Sequence, residues 1–317
     1  MSNHQANWVV GVDLGATKIA AGLVSPDNQI IKKVYAETRV AEGPAPVVER
    51  INHCVDELRS HIPGSKQMVA IGVCCPGPVD HASGMVLDPP NMTGWLNVPL
   101  QKMLKERLAI PAAIEHDAKA AALGEFHFGA GQGSNDMIFV VVGTGVGAAI
   151  ILNGQLYRGP HNSAGEIGHV TIDMNGPSCS CGSNGCLEVY TAGPDLVDRF
   201  RDFIKDSGEL CPANADGKWV AKLAAEGHPQ ALRVFEQAGQ ALGIGVATMA
   251  HLFDVSTYII GGSVAQAGDL LLAPTRKAVQ YRAYDSVAPR IKVMASPLGD
   301  NAAILGAAWA ARRAINN

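Results

Sequence analysis

The amino-acid sequence predicts an α/β protein built from two similar halves, and three observations carry that expectation. The chain has 317 residues, 47% of them hydrophobic, enough for two domains and a sizeable buried core. Residues 8–24 and 137–152 repeat one pattern: an apolar strand, a glycine-containing turn and a second apolar strand. Elsewhere, short apolar runs of strand length alternate with segments whose hydrophobic residues recur at helical spacing. Two glycine hairpins so far apart point to a duplicated domain, with one anion-binding turn in each half.

The first strand, residues 8–13, ends in Asp13, and Leu14-Gly15-Ala16-Thr17-Lys18 leads into the apolar run 19–24. Such a turn aims backbone N–H groups and the Thr17 hydroxyl at an anion; a plain hairpin is the alternative. It lacks the extra glycines and the following helix of a Walker A loop. Residues 29–35 read as a third strand. Val47, Ile51, Cys54, Val55, Leu58 and Ile62 have helical spacing over 44–62, and Pro63-Gly64 stops that helix. A short buried strand at 69–73 runs into Pro76-Gly77-Pro78-Val79-Asp80, by spacing an ordinary strand-end turn.

Residues 100–108 predict a helix and 112–115 a strand that ends at His116-Asp117; residues 118–128 are good helix formers. Asp117 therefore stands at or near a helix N-cap. It is either a cap or a general base that the helix dipole keeps ionised. The second hairpin turns at Gly143-Thr144-Gly145-Val146-Gly147. Helices follow at 195–205 and 218–226, then a long alanine-rich one at 230–253 that contains Gly239, Gly243 and Gly245. Each glycine costs a helix about 1 kcal/mol relative to Ala, so these three imply close packing. The strand 257–260 runs into Gly261-Gly262-Ser263, by sequence another strand-end turn. A last strand lies at 291–294, and Asp300 caps a final helix at 301–311.

The most informative stretch runs from Glu166 to Glu188. It holds Glu166-Ile-Gly-His169, then Cys179-Ser-Cys181 and Gly-Ser-Asn-Gly-Cys186-Leu-Glu188. Three thiolates and an imidazole suit a closed tetrahedral zinc site on His169, Cys179, Cys181 and Cys186. Gly182 and Gly185 permit the tight turns of such a knuckle. A disulfide or a chance cluster is the alternative. Carboxylates are not needed for this donor set, so Glu166 and Glu188, with His169, are expected to hold a polyol.

Composition excludes several classes. The net charge is −4 and no basic run appears, which argues against a nucleic-acid or anionic-membrane partner. Residues 1–7 lack the basic and apolar regions of a signal peptide, and glycines interrupt every long apolar run, so no membrane span is expected. Of the seven cysteines, Cys54, Cys74, Cys75 and Cys211 read as reduced thiols, which points to the cytoplasm. No G-x-G-x-x-G follows the first strand, against a dinucleotide enzyme.

The order E-x-G-H, C-x-C-G-x-x-G-C-x-E at 166–188 resembles the signature of the ROK family of bacterial sugar kinases, which includes glucokinases, N-acetylhexosamine kinases and sugar-responsive repressors. D-x-G-x-T-K at 13–18, P-G-P-V-D at 76–80, Pro90-Asn91 with Trp95, and D-A-x-A-A-A-x-G-E at 117–125 extend the resemblance over nearly the whole chain.

The resemblance implies an actin-like ATPase (ribonuclease H-like) fold, two lobes around a cleft. Residues 1–117 with 300–317 would form the small lobe and 118–299 the large lobe with the zinc loop. It implies ATP-dependent phosphorylation of the 6-hydroxyl of a hexose, with Asp117 as the catalytic base. Gly77, His116, Glu166, His169 and Glu188 would lie beside the sugar. Gly15, Thr17, Lys18, Gly143, Thr144 and Gly145 would hold the phosphates of ATP, and Gly261 and Gly262 would lie against the adenosine. Asp13 would position Mg²⁺, Zn²⁺ would be structural, and the assembly would be a homodimer or a dimer of dimers. Kinases for an N-acetylhexosamine or a cyclitol, and a non-catalytic sugar-sensing regulator, are the alternatives. Family repressors carry an N-terminal DNA-binding module, whereas only residues 1–7 precede the first strand here. Most of the family has Asn directly before the catalytic Asp, and commonly Asn two residues after it. The residues here are His116 and Lys119, a departure that bears on which sugar is bound.

Overall fold

The computed structural model describes residues 7–315; the expectation about residues 1–6 lies outside them. Of the described residues, those up to Gln132, Arg158–Ser163 and those from Asp300 onward form one compact unit, and the remainder form a second. The first unit contains β1 (Trp8–Leu14), β2 (Lys18–Val24), β3 (Ile30–Glu37), α1 (Pro44–Arg59), β4 (Met68–Cys75) and the short pair β5 (Val79–Asp80) and β6 (Met85–Val86). It continues with α2 (Leu100–Leu108), β7 (Ala112–His116) and α3 (Asp117–Phe128). The second contains β8 (Met137–Val142), β9 (Val146–Leu152), β10 (Gln155–Tyr157), α4 (Glu188–Thr191), α5 (Gly193–Ile204), α6 (Gly217–Ala225) and α7 (Pro229–Phe253). There follow β11 (Thr257–Gly261), α8 (Asp269–Arg282) and β12 (Lys292–Ala295); α9 (Asn301–Ala314) returns to the first unit.

The two units share one sheet plan. The five-stranded orders are β3-β2-β1-β4-β7 and β10-β9-β8-β11-β12. In each, three strands joined by hairpins are antiparallel, and the third-position strand continues into two parallel neighbours. The inner parallel strands β1, β4, β8 and β11 are near-continuous apolar runs, as strands covered on both faces must be; the edge strand β12 is half exposed. Turns 15–17 and 143–145, Gly77, His116-Asp117 and Gly261-Gly262 all stand at or just beyond the carboxyl ends of parallel strands, where open α/β sheets bind ligands.

Glycines set how closely the helices approach. A Cβ on Gly72 would lie 1.8 Å from the Ala307 carbonyl oxygen, and one on Gly11 would lie 2.0 Å from that of Ile304, so α9 rests on the backbone of β4 and β1. Gly124 and Gly306 bring α3 and α9 together in the same way, against the carbonyls of Ala302 and Ala120. This packing groups α3 with the first unit, whereas the sequence reading drew the division just before it. In the second unit Gly239 faces Pro274, and Gly243 faces Ala278, both of α8. Sequence periodicity missed α8 because Pro274 interrupts it; the proline ring is instead the knob that fills the Gly239 notch. The helix expected to reach residue 62 ends at Arg59. Among the described residues, no helix is long and apolar enough to cross a membrane.

Gly72→Ala should lower the unfolding free energy by about 2–3 kcal/mol, because the methyl meets backbone that has no rotamer to yield. Gly147→Ala, whose methyl would meet only Val141 Cγ1 at 3.7 Å, should cost less than half as much. Urea midpoints for the two variants check this.

Candidate active site

In the first unit the site begins where β1 ends. Asp13 pairs with Ala20 across the hairpin, and Gly15 donates to the Lys18 carbonyl at 2.9 Å, closing the turn. The Thr38 hydroxyl donates to the Gly15 carbonyl at 2.6 Å and holds the turn from the far side. Thr17 is exposed at the tip. Lys18 does not reach over the turn: its ammonium lies 4.0 Å from the centre of the Tyr35 ring.

Asp13 is largely buried, and its carboxyl is pushed up to about 6, first by burial and then by the charge of Asp117, with Asp300 adding to it. The Cys74 thiol donates to Asp13 Oδ1 at 3.8 Å and opposes the shift. Three carboxylates from the end of β1, the start of α3 and the start of α9 thus act on one region.

His116 is the N-cap residue of α3, and its side chain makes no capping bond. Asp117 is the first helical residue; its Oδ1 accepts from the N–H of Ala118 at 2.6 Å, the next residue rather than the second or third N–H of a true cap. Its side chain remains 44% exposed, so the carboxylate can meet a ligand. The His116 ring lies on Gly77: a Cβ there would fall 2.3 Å from His116 Cδ2. Its Nδ1 stands 3.2 Å from Asp117 Oδ1, yet this buried atom makes no well-angled hydrogen bond.

In the second unit, the turn after β8 is closed by Gly143 donating to the Gly145 carbonyl at 2.9 Å, and Gly193 donates to the Gly143 carbonyl at 2.8 Å. Thr144 and Gly145 are exposed. A cavity of about 490 Å³ opens beside this turn, lined by Gly143, Thr144, Gly193, Pro194, Asp198, Arg201, Asp216, Gly217, Lys218 and Ser263 among others. A space of that size suits a small-molecule ligand. The N-termini of α5 and α6 converge on it: a Cβ on Gly217 would lie 3.0 Å from Gly193 Cα. Two helix N-termini and a glycine turn aim backbone N–H groups at the cavity, while Arg201 is paired with Asp198 at 2.9 Å, and Lys218 and Asp216 both stand at the wall. Gly261 and Gly262 do not line the cavity. They face inward, against the Phe139 ring and the Val142 carbonyl, and their successors Ser263 and Val264 reach the cavity wall. Sequence reasoning missed Gly193, Arg201 and Lys218; the Gly193-Pro194 helix start and the Asp216 cap, bonded to Trp219 N–H at 2.8 Å, were the available signals.

Glu166 and His169 are exposed on either side of a short turn, and Glu188 opens α4. Glu188 Oε2 accepts from the Val146 N–H at 2.8 Å, and a Cβ on Gly145 would meet that same oxygen at 2.8 Å. One Glu188 oxygen is therefore engaged by the hairpin.

The donor atoms of His169, Cys179, Cys181 and Cys186 all lie within 4.8 Å of one another. Cys181 and Cys186 sulfurs are 3.6 Å apart and Cys179 Sγ is 3.7 Å from His169 Nδ1. Tetrahedral zinc places sulfurs about 3.8 Å apart and sulfur about 3.5 Å from nitrogen, whereas a disulfide needs about 2.05 Å. The donor set fits a single zinc ion. Gly185 is required in the knuckle: at φ 60°, a Cβ would fall 1.6 Å from the Asp173 carbonyl oxygen.

Comparison with known proteins adds an independent line. The ROK family model matches residues 9–314. A glucokinase of Thermotoga maritima is 36% identical over 307 residues, 95% of this chain and 96% of that protein. A xylose repressor of Bacillus subtilis is 31% identical over 310 residues, 96% of this chain and 77% of that protein. The crystal structure of a ROK family glucokinase from Streptomyces griseus in complex with glucose and AMPPNP superposes with a TM-score of 0.81 at 34% identity, covering 97% of this chain and all of that one.

The Asp13 carboxyl generates a pH-dependent prediction for the protein without magnesium. A carboxyl raised from 3.8 to about 6 holds its proton more tightly folded than unfolded. The penalty for ionising it is absent below pH 4, grows through that window and is complete above it, at roughly 3 kcal/mol. Asp13→Asn should therefore be more stable than wild type at pH 7.5, with the advantage gone by pH 4. A stability difference independent of pH in urea titrations would contradict this.

Proposed function

The chain belongs to the ROK family, and from that premise we propose that it is an ATP-dependent, glucokinase-like enzyme that phosphorylates the 6-hydroxyl of a hexose. The observation that carries the reading is the partly exposed carboxylate of Asp117, at the start of α3 and beyond the carboxyl end of β7. Phosphoryl transfer asks a protein mainly for positioning and charge stabilisation. Asp117 accepts the proton of the attacking hydroxyl.

Glu166, the free oxygen of Glu188 and His169 bind the remaining hydroxyls. The facing of His169 Nδ1 toward Cys179 leaves Nε2 for the sugar. Backbone N–H groups and hydroxyls of Gly15, Thr17, Gly143, Thr144 and Gly145 hold the phosphates. The cavity beside Gly143 takes the nucleoside, with Arg201 and Lys218 at its wall. Lys18, placed on Tyr35, acts on the phosphates only through its long-range charge. Asp13 and its neighbouring carboxylates position Mg²⁺, which supplies positive charge to the phosphates when bound. Zinc on His169, Cys179, Cys181 and Cys186 is structural, fixing the loop that carries Glu166 and Glu188.

His116 is the residue that bears on substrate choice. Its imidazole has one donor and one acceptor on opposite sides of a ring, and the missing side chain of Gly77 makes room for that ring beside Asp117. An N-acetylhexosamine or a cyclitol is the alternative substrate. A sugar-sensing regulator is the second reading, supported by the match to the xylose repressor.

Asp117→Asn should keep the fold and glucose binding while lowering the rate of ADP formation by about 10²- to 10⁴-fold. A variant that retains a tenth of wild-type kcat would make Asp117 a structural residue. Elemental analysis should find one zinc per chain, and Cys186→Ser should lose it together with glucose binding. Zinc-free protein that binds glucose normally would remove the metal from the account.

A further inference from the structure

Thr38 is a fully buried polar residue one position beyond the end of β3, and its hydroxyl, N–H and carbonyl are all engaged. The hydroxyl donates to the Gly15 carbonyl at 2.6 Å. The N–H donates to the Thr17 carbonyl at 2.9 Å. The Thr38 carbonyl accepts from Nη1 of Arg50, on α1, at 3.2 Å. Nη2 of the same guanidinium forms an ion pair with Glu42, in the short 3₁₀ turn Val40–Glu42 that follows. Between Thr38 and that turn the chain leaves the strand at Arg39, a non-glycine residue at φ 51°. One residue is thus clamped from behind by α1 while it holds the turn after β1 from the other side. All of these residues belong to the first unit.

A trans peptide sets its C=O and N–H in opposite directions. With the Gly15 carbonyl drawn to the Thr38 hydroxyl, the Ala16 N–H points away from Thr38. With the Thr17 carbonyl drawn to the Thr38 N–H, the Lys18 N–H does the same. Thr38 therefore decides which way two amides of the turn face. Holding the chain together does not require the hydroxyl. The bond to Thr17 is a main-chain bond that any residue except proline at position 38 would make. Gly15 is partly exposed, where water is an alternative partner for a carbonyl. What the hydroxyl adds is a fixed direction, and successive N–H groups hold an anion only while they converge on it.

We propose that Thr38 and Arg50 are positioning residues that aim the Ala16 and Lys18 N–H groups of the turn after β1 at the phosphates of ATP. The inference rests on the kinase reading for its kinetic consequence, but the direction of the two amides is a property of the free protein.

The test uses the full-length protein, with glucose and magnesium ATP as probes. Thr38→Val removes the hydroxyl and keeps the branched shape and the N–H. It should speed amide hydrogen exchange of residues 16–18 and raise the ATP KM by about 10-fold, as small misplacements in a site do, with the glucose KM unchanged. Thr38→Ser, which keeps a donor for the Gly15 carbonyl, should restore both. Arg50→Met should move the same two readouts in the same direction. Its partner Glu42 is half exposed, so that variant strands no buried charge, and it decides the question if Thr38→Val does not fold. An unchanged ATP KM in folded Thr38→Val, no recovery in Thr38→Ser, or equal rises in both KM values would overturn the proposal by making the clamp merely structural. If wild type binds no ATP in calorimetry, the kinase reading fails, and the exchange data decide the clamp alone: unchanged exchange of 16–18 in Thr38→Val overturns it.

Discussion

A carboxylate held where it is costly to ionise is the constraint on which the structure turns. Asp13 ends β1 in a largely buried position, with Asp117 and Asp300 near enough to push its carboxyl up to about 6. Burial and like charge both oppose the anion. A cation beside such a group would offset both costs. The surroundings enforce the strain: Gly11 and Gly72 bring α9 down onto β1 and β4, which delivers Asp300, and the Gly124–Gly306 contact sets α3 and Asp117 beside it.

The second unit repeats the sheet order but not the chemistry. Its equivalent turn has Gly143, Thr144 and Gly145 and no aspartate; two helix N-termini and a cavity stand beside it instead. One half thus gathers carboxylates at its first turn, and the other sets helix N-termini and backbone N–H groups beside its own. The second also carries the knuckle at 169–186, where thiol spacings suit zinc. A loop so rich in exposed polar residues has little apolar core of its own, and its four clustered donors stand close enough for one metal ion to hold.

Much of this was legible in the sequence, for physical reasons. The parallel strands are apolar runs bounded by glycine, and the two hairpins look alike because they are built alike. The clustering of His169 with Cys179, Cys181 and Cys186 was legible because close cysteine spacing with tight glycine turns brings thiols together. What was not legible depends on contacts far apart in sequence. Lys18 looked like a phosphate ligand until Tyr35, on the neighbouring strand, was seen to hold its ammonium. Gly261 and Gly262 looked like a ligand cradle, yet their missing side chains make room for Phe139 and Val142. Helix α8 was hidden by a proline whose purpose lies on α7. Thr38 and Arg50 carry no motif; only the fold brings them behind the turn at Gly15 and Thr17.

The central claim is that Asp117 and the two glycine turns serve transfer of a phosphoryl group to a hexose hydroxyl. Phosphorus NMR of the purified protein with glucose and magnesium ATP tests it most directly. The account predicts a sugar monophosphate resonance, coupled to the C6 methylene protons, that grows in step with ADP and is absent without glucose. Glucose binding with no sugar phosphate formed would contradict it and would leave the chain a sensor built on a kinase fold.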